Sequence, residues 1–506
     1  METRVIVVGA GPVGLMLAGE LGLGGAEVTV YDRLPAPSGE SRALGFTKRV
    51  AEIFDQRGLL ARLGEFRRGR SGHFGGVGFD LSMLDESHHG VLGLPQSRTE
   101  QMLTDWLGEL GVTVRRGHEA VAFTETADGV ELVLDGPDGR HRDTAAYLVG
   151  CDGPDSTIRT LAGIPAPGWE STRGMYMADV KGIEPRQRPT GEHVPGGSMV
   201  LCVDLGDGYH RVLIHDRSLP PHPDTATLTF TDVADAWQRM TGESIHHGSA
   251  RWMAAFGNGA GLATTYRRGR VLLAGDAAHA TPPLAGWGLS TGIQDAANLG
   301  WKLAAVATGR APETLLDTYH SERHPLGEQL LRNTHAATAL YLSDEEMDPL
   351  RAVLRELMED KNAAEHFAGM VSGLGVRYDT CPGDHPLLGR RLSPDHALDL
   401  PDGNRARVAQ LLRPGRGVLI VTEDPGGTEA PDGTDGPRHR AAAWSDRVDI
   451  VTGTWAPADA PGGPARLPAA VLVRPDGYVA WAGPGSAGLT AALESWFGPA
   501  RVTAGV

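Results

Sequence analysis

Three short segments carry residue types from which chemistry could be built. Gly9, Gly11 and Gly14 follow the apolar run Val5-Ile-Val-Val; Asp32 ends a second run, Glu27-Val-Thr-Val-Tyr-Asp32; Asp276 ends a third, Arg270-Val-Leu-Leu-Ala-Gly275-Asp276. Glycines directly after a buried strand permit a tight turn and let the backbone approach a pyrophosphate at a helix N-terminus. Asp32 lies 18 residues beyond Gly14, near the usual offset for a carboxylate that accepts from a ribose hydroxyl. Together these residues describe dinucleotide binding.

The elements that must position them are legible in the same stretches. A strand over Val5–Val8, a helix over Val13–Leu23 and a strand over Glu27–Asp32 form the opening of a βαβ unit. Asp276 closes an apolar strand, and helical spacing resumes from Leu289 to Val306, so a carboxylate and a helix N-terminus converge. Such a pair suits a flavin, the acid accepting from a ribityl hydroxyl and the helix end stabilising negative charge on the reduced ring. On its own segment, Asp276 reads equally well as a turn or N-cap aspartate. A third strand-to-turn unit, Tyr147-Leu-Val-Gly150-Cys-Asp152-Gly153-Pro-Asp-Ser156-Thr-Ile-Arg159, favours the flavin.

In this order and spacing the three motifs resemble those of the single-component flavoprotein aromatic hydroxylases related to p-hydroxybenzoate hydroxylase. Longer runs, Gly39-Glu-Ser-Arg42-Ala-Leu-Gly-Phe46, Gly72-His73-Phe74-Gly75-Gly76, Tyr319-His-Ser-Glu-Arg323-His and Trp444-Ser-Asp-Arg-Val-Asp449-Ile-Val, resemble the members that act on angucyclinones and other aromatic polyketides. The resemblance implies FAD as cofactor, NADPH or NADH as electron donor, and dioxygen and a polycyclic aromatic small molecule as partners. It implies hydroxylation through a C4a-hydroperoxyflavin. It assigns Gly9, Gly11, Gly14, Asp32 and Arg33 to the ADP half, Asp152 and Arg159 to the motif shared by FAD and the nicotinamide, and Asp276 to the ribityl chain. Arg42 and Gln96 would lie beside the ribityl and phosphate groups; read without the resemblance they are a surface salt bridge and a loop amide. No second glycine fingerprint is visible, so the nicotinamide is expected to bind transiently over the same flavin. No side chain stands out as the catalytic base.

One loop departs from the family pattern. Where that pattern is Pro-x-Gly-Gly-Gln-Gly-Met-Asn, this chain has Pro283-Leu-Ala285-Gly286-Trp287-Gly288-Leu289-Ser290. The amides from Gly288 to Ser290 could still donate to the ring, but Trp287 and Ser290 change bulk and polarity beside it. His279, three residues after Asp276, is expected to be satisfied by a backbone partner rather than to handle protons. Two other functions remain open on sequence: Baeyer–Villiger oxygenation of a polyketide ketone, and flavin binding without redox turnover.

Composition agrees with a large catalytic chain. Its 506 residues are long enough for two or three cores, and a net charge of −16 argues against nucleic acid or an anionic membrane as partner. No N-terminal secretory pattern or membrane-spanning apolar run is visible. Cys151, Cys202 and Cys381 lie far apart without metal-ligand spacing, which suits a reducing cytoplasm.

The expected fold class is α/β: a Rossmann-like FAD domain, an inserted antiparallel-sheet substrate domain and a C-terminal thioredoxin-like domain. The boundaries are 1–171 with 264–394 for the discontinuous FAD domain, 172–263 for the substrate sheet, and 401–506 for the last unit. Strands are expected at Ser198–Asp204, Arg211–His215 and Ala226–Thr231, and helices over Glu313–Tyr341, with a break or kink at Pro325, and Glu345–Gly373. The C-terminal unit is expected to hold strands at Gly417–Thr422 and Val448–Val451, a hairpin turning at Pro475-Asp-Gly477, and a helix over Leu489–Phe497. Lacking a CxxC, it reads as structural or dimer-forming, with a homodimer as one possible assembly.

Overall fold

The computed structural model describes residues 3–39, 43, 45–84, 91–196, 198–284, 286–379, 383–422, 436–457 and 467–500. The chain opens with β1 (Arg4–Val8), α1 (Pro12–Leu23) and β2 (Glu27–Asp32). It continues through α2 (Lys48–Gln56), α3 (Gln96–Glu109), β3 (Thr113–Arg116) and β4 (Tyr147–Gly150). It then leaves this sheet for a second one, formed by β5 (Gly174–Lys181), β6 (Arg188–Val194), β7 (Ser198–Gly206), β8 (Tyr209–His215), α4 (Phe230–Thr241) and β9 (Ser249–Gly257). The return brings β10 (Arg267–Arg268), β11 (Val271–Leu273), α5 (Trp287–Ala307) and α6 (Asp317–Tyr341).

In the first sheet the order is β10-β11-β4-β1-β2-β3, with every pair parallel except β10 and β11. Buried on both faces, β1 and β4 read as continuous apolar runs rather than alternating ones. The chain moves outward from β1 to β2 and β3, then restarts on the other side at β4 and β11. The strand order therefore reverses between β1 and β4, where open α/β sheets form a crevice at their carboxyl ends. α1 is buried from Pro12 to Leu21, so it shows no polar stripe.

The second sheet, β6-β7-β8-β5-β9, is antiparallel throughout. Its strands alternate faces. Ala178, Val180, Val200, Cys202, Val212 and Ile214 pack beneath Val233, Ala236 and Trp237 of α4. The opposite residues, Met175, Met177, Met199 and Leu213, cluster with Tyr341 and Leu342 from the end of α6.

Three local expectations are corrected. Ala226–Thr231 alternates like a strand, but Thr229 and Asp232 form a capping box that starts α4 at Phe230. α6 continues through Pro325 to Tyr341. The following stretch is two helices, α7 (Asp348–Leu357) and α8 (Lys361–Ser372), divided where the Asp360 side chain caps the second.

The C-terminal sheet consists of β12 (Ala397–Asp399), β13 (Arg405–Arg407), β14 (Gly417–Thr422), β15 (Val448–Trp455), β16 (Ala470–Val473) and β17 (Val479–Gly483), with α9 (Leu489–Phe497) packed against it. Its order is β13-β12-β15-β14-β16-β17, with only β14 and β15 parallel. Among the described residues no helix is long and apolar enough to cross a membrane.

Candidate active site

The three motifs meet at the crevice. Gly9 leaves β1 with φ +105°, and a Cβ there would lie 2.3 Å from the Cys151 carbonyl oxygen. A Cβ at Gly14 would lie 1.9 Å from the Gly9 oxygen, so α1 can begin this close to the turn only without a side chain. At the other motif the Ala274 N–H donates to the Gly150 carbonyl at 3.0 Å, and a Cβ on Gly275 would meet Val13 of α1 at 3.0 Å. Burial pushes the Cys151 thiol well above its ordinary value.

α1 has Gly11 as N-cap, Pro12 in its first turn and no side-chain cap bond. Its first amides therefore point into the crevice without a protein acceptor from the cap. Nothing lies within 4 Å of where a Gly11 Cβ would sit. Asp32 connects the first turn to the end of β2: one oxygen accepts from the Ala10 N–H at 2.6 Å, the other from the Leu34 N–H at 2.8 Å. Arg33 is exposed beyond it. Gln96 begins α3, and its amide donates to Glu100 at 2.8 Å.

Asp152 and Arg159 serve their own turns. The Asp152 carboxylate accepts from the Ser156 hydroxyl at 2.5 Å and the Ile158 N–H at 3.0 Å. The Arg159 guanidinium donates to the carbonyls of Ala277 (3.0 Å) and Pro154 (2.8 Å), tying the second motif to the third. Asp276 is exposed, and a Cβ on Gly288 would lie 3.8 Å from its carboxylate. α5 starts there with Gly286 as N-cap at φ +68° and no side-chain cap bond.

In the departing loop Pro283 is exposed and Leu289 half-buried, while Leu284 packs against the methionine-lined sheet face. Trp287 is buried and stacks on Phe74 with ring centroids 5.9 Å apart. Ser290 is buried too, its hydroxyl accepting from the Thr47 N–H at 3.2 Å. On the next strand residue, His73 stacks on Tyr341 at 5.7 Å. Arg42, Ala285 and Cys381 lie outside the described residues.

The family follows from comparison with known proteins. The FAD binding domain model matches residues 2–334, and the aromatic-ring hydroxylase C-terminal model matches 385–500. The chain belongs to the FAD-dependent aromatic-ring hydroxylases, a family of monooxygenases. It is 41% identical to a 12-dehydrotetracycline 5-monooxygenase/anhydrotetracycline 6-monooxygenase of Streptomyces rimosus, over 99% of each chain. The crystal structure of CabE, an aromatic hydroxylase from angucycline biosynthesis, superposes with a TM-score of 0.91 at 49% identity, covering 99% of this chain and 100% of that one. BexE, studied for oxidation during BE-7585A biosynthesis, matches with a TM-score of 0.89 at 48% identity, over 99% and 100% of the two chains.

The residues fit FAD as this family binds it. α1 and α5 each begin at a glycine N-cap without a side-chain cap bond, the kind of helix end that suits a pyrophosphate or negative charge on a ring, and Asp32 and Asp276 are carboxylates of the type that accepts from hydroxyls. One feature was not read from sequence. Among the described residues the His279 ring makes no hydrogen bond to a backbone group; its Nε2 lies 2.6 Å from Asp295, which also binds Arg323. The signal was available as an aspartate within the apolar run of α5.

Proposed function

We propose that this monooxygenase hydroxylates a flat, polycyclic aromatic polyketide of the angucyclinone kind. The observation that carries the substrate class is the sheet face against which the departing loop packs. Met175, Met177, Met199 and Leu213 cluster there, flanked by half-buried Leu201, Trp252 and Phe256, and Leu284 of the departing loop packs against the same face. The methionines themselves are buried, and the half-buried Leu201, Trp252, Phe256 and Leu284 that they back offer the apolar and aromatic surface for fused rings; the tetracycline and angucycline relatives support the size of the ligand.

FAD, when bound, supplies acceptance of a hydride from NADPH or NADH and delivery of one oxygen atom from dioxygen, the other leaving as water. This chain's residues do the holding. The first amides of α1 receive the pyrophosphate, with Gly9, Gly11 and Gly14 keeping the approach open. Asp32 and Arg33 face the adenosine side, and Asp276 accepts from the ribityl chain. The amides at Gly288, Leu289 and Ser290 face the ring, with Pro283 and Gly286 shaping their loop. Asp152 and Arg159 act as braces that hold the second and third motifs together, and Gln96 would lie on the phosphate side. The domain division is 1–171 with 264–394 for FAD, 172–263 for substrate, and 401–506 as a thioredoxin-like structural unit. With FAD bound, the apolar side chains of the loop and the sheet, Leu284 among them, would exclude water from the reacting centre.

The test is product analysis with a tetracyclic aromatic ketone, NADPH and ¹⁸O-labelled dioxygen. One label retained on an intact ring supports hydroxylation. A lactone would assign Baeyer–Villiger insertion instead, and no labelled product would refute the proposal.

A further inference from the structure

Behind the Asp276 turn lies a charged cluster that cofactor holding does not require. His279, Asp295 and Arg323 are each at most 1% exposed. Asp295 is the pivot. One oxygen accepts from the Arg323 Nε at 2.7 Å; the other meets His279 Nε2 at 2.6 Å and the Gly275 N–H at 3.2 Å. The remaining guanidinium nitrogens donate to the Thr291 carbonyl (3.2 Å) and the Tyr378 hydroxyl (3.1 Å). His279 Nδ1 has no partner among the described residues. Burial works against charge on His279, but the Asp295 carboxylate outweighs it and raises the imidazole above its ordinary value, with Asp276 assisting and Arg323 opposing.

Desolvating three ions is costly, and apolar side chains of similar volume would join β11 to α5 at least as stably. The location offers a reason for the charge. The cluster holds the amide that precedes Asp276 and, through Arg323, the carbonyl of Thr291 in the first turns of α5. With His279 protonated, His279, Arg323 and Asp295 together carry two positive charges and one negative, a net of one positive charge for the three, behind the Asp276 carboxylate and closed off from solvent. Hydride transfer from NAD(P)H leaves NAD(P)⁺ and puts one negative charge on the flavin. A fixed positive charge nearby favours that product over the oxidised ring, and burial leaves it weakly screened.

We propose that His279, Asp295 and Arg323 are positioning residues that raise the reduction potential of the bound flavin, fixing the Asp276 turn against α5 and placing one net positive charge behind it. The inference rests on the FAD reading above.

The test compares midpoint potentials of the holoenzymes, measured anaerobically with a reference dye. His279→Gln keeps a donor toward Asp295 and removes the charge. It is expected to retain FAD and shift the reduction equilibrium at least tenfold toward oxidised flavin, about 30 mV for a two-electron couple, slowing reduction by NADPH while leaving its KM unchanged. Arg323→Lys keeps the charge without the fork and is expected to hold the wild-type potential. Arg323→Gln deletes the other cation and reads the same effect if the His279 variant fails to fold. Bound FAD with unchanged potential in the neutral variants overturns the inference alone, as does an equal fall in Arg323→Lys. A wild-type protein that binds no FAD overturns the family reading, and the inference with it.

Discussion

Glu322, adjacent to Arg323 on α6, faces the C-terminal sheet and makes a severe prediction. Its carboxylate is fully buried and accepts from Arg474 at 2.6 and 2.9 Å, from Lys302 at 2.7 Å and from Asn298 at 2.6 Å. Asp476 also binds Arg474, at 3.0 and 2.5 Å, so two cations meet two anions. Burial by itself would raise Glu322, but Arg474 and Lys302 hold it far below the usual carboxylate range. Burial pushes Lys302 down to about 8. The two charges are therefore unequal in worth. Glu322→Gln leaves two buried cations against one carboxylate and is expected to cost about 3–5 kcal/mol. Lys302→Met removes the cation that burial disfavours and leaves Glu322 bonded to Arg474 and Asn298, so it is expected to cost about 1–2 kcal/mol. The double variant is expected to be about 1–3 kcal/mol less destabilised than the sum of the singles, because removing Lys302 relieves the uncompensated charge. Guanidinium unfolding followed by tryptophan fluorescence reads this directly, since Trp301 and Trp496 lie at the same contact. Additive costs, or a Glu322→Gln variant no less stable than Lys302→Met, would refute the reasoning.

Three further outcomes are expected. Gly14→Ala places a Cβ 1.9 Å from the Gly9 oxygen and should yield protein purified without FAD; a wild-type flavin-to-protein absorbance ratio would contradict this. Trp287→Gln breaks the stack on Phe74 and should loosen the loop beside the ring, increasing the fraction of NADPH consumed without product; unchanged reduction and coupling rates would remove Trp287 from the account. The His279–Asp295 pair gives a pH signature. Because His279 is raised in the folded state, its contribution to stability is full below the unfolded imidazole value and is lost as pH rises through the folded one. The thermal midpoint of wild type relative to His279→Gln should therefore narrow toward alkaline pH, and a constant difference would show that the imidazole charge contributes nothing.

The crevice where the three motifs meet was legible in the sequence because its signals are local. A glycine turn after an apolar strand, an acid ending the next strand and an apolar helix after Gly275-Asp276 each specify their own backbone, and the observed β1, α1, β2 and α5 follow them within two residues. Ala226–Thr231 was misread because threonine alternation and a helix cap use the same residues, and only the Thr229–Asp232 bonds decide between them. Pro325 removes one backbone donor, yet α6 stays continuous across it. Tertiary burial of its neighbours Glu322 and Arg323 in ion networks is the context that overrides the local signal. His279 was assigned a backbone partner because its actual partner, Asp295, is separated from it by a whole loop. Arg159 and Asp152 match the motif by type, but only the folded chain shows their groups bonded to turn atoms.

The proposed reaction requires a reducible FAD from which oxygen reaches an aromatic polyketide. Its most direct test is anaerobic mixing of the purified protein with NADPH, with and without a tetracyclic aromatic ketone, followed by admission of oxygen. Bleaching of bound flavin that the substrate accelerates is expected, then reoxidation with an oxygenated product. Bound flavin that NADPH and NADH both fail to bleach, or protein that binds no flavin, would contradict it.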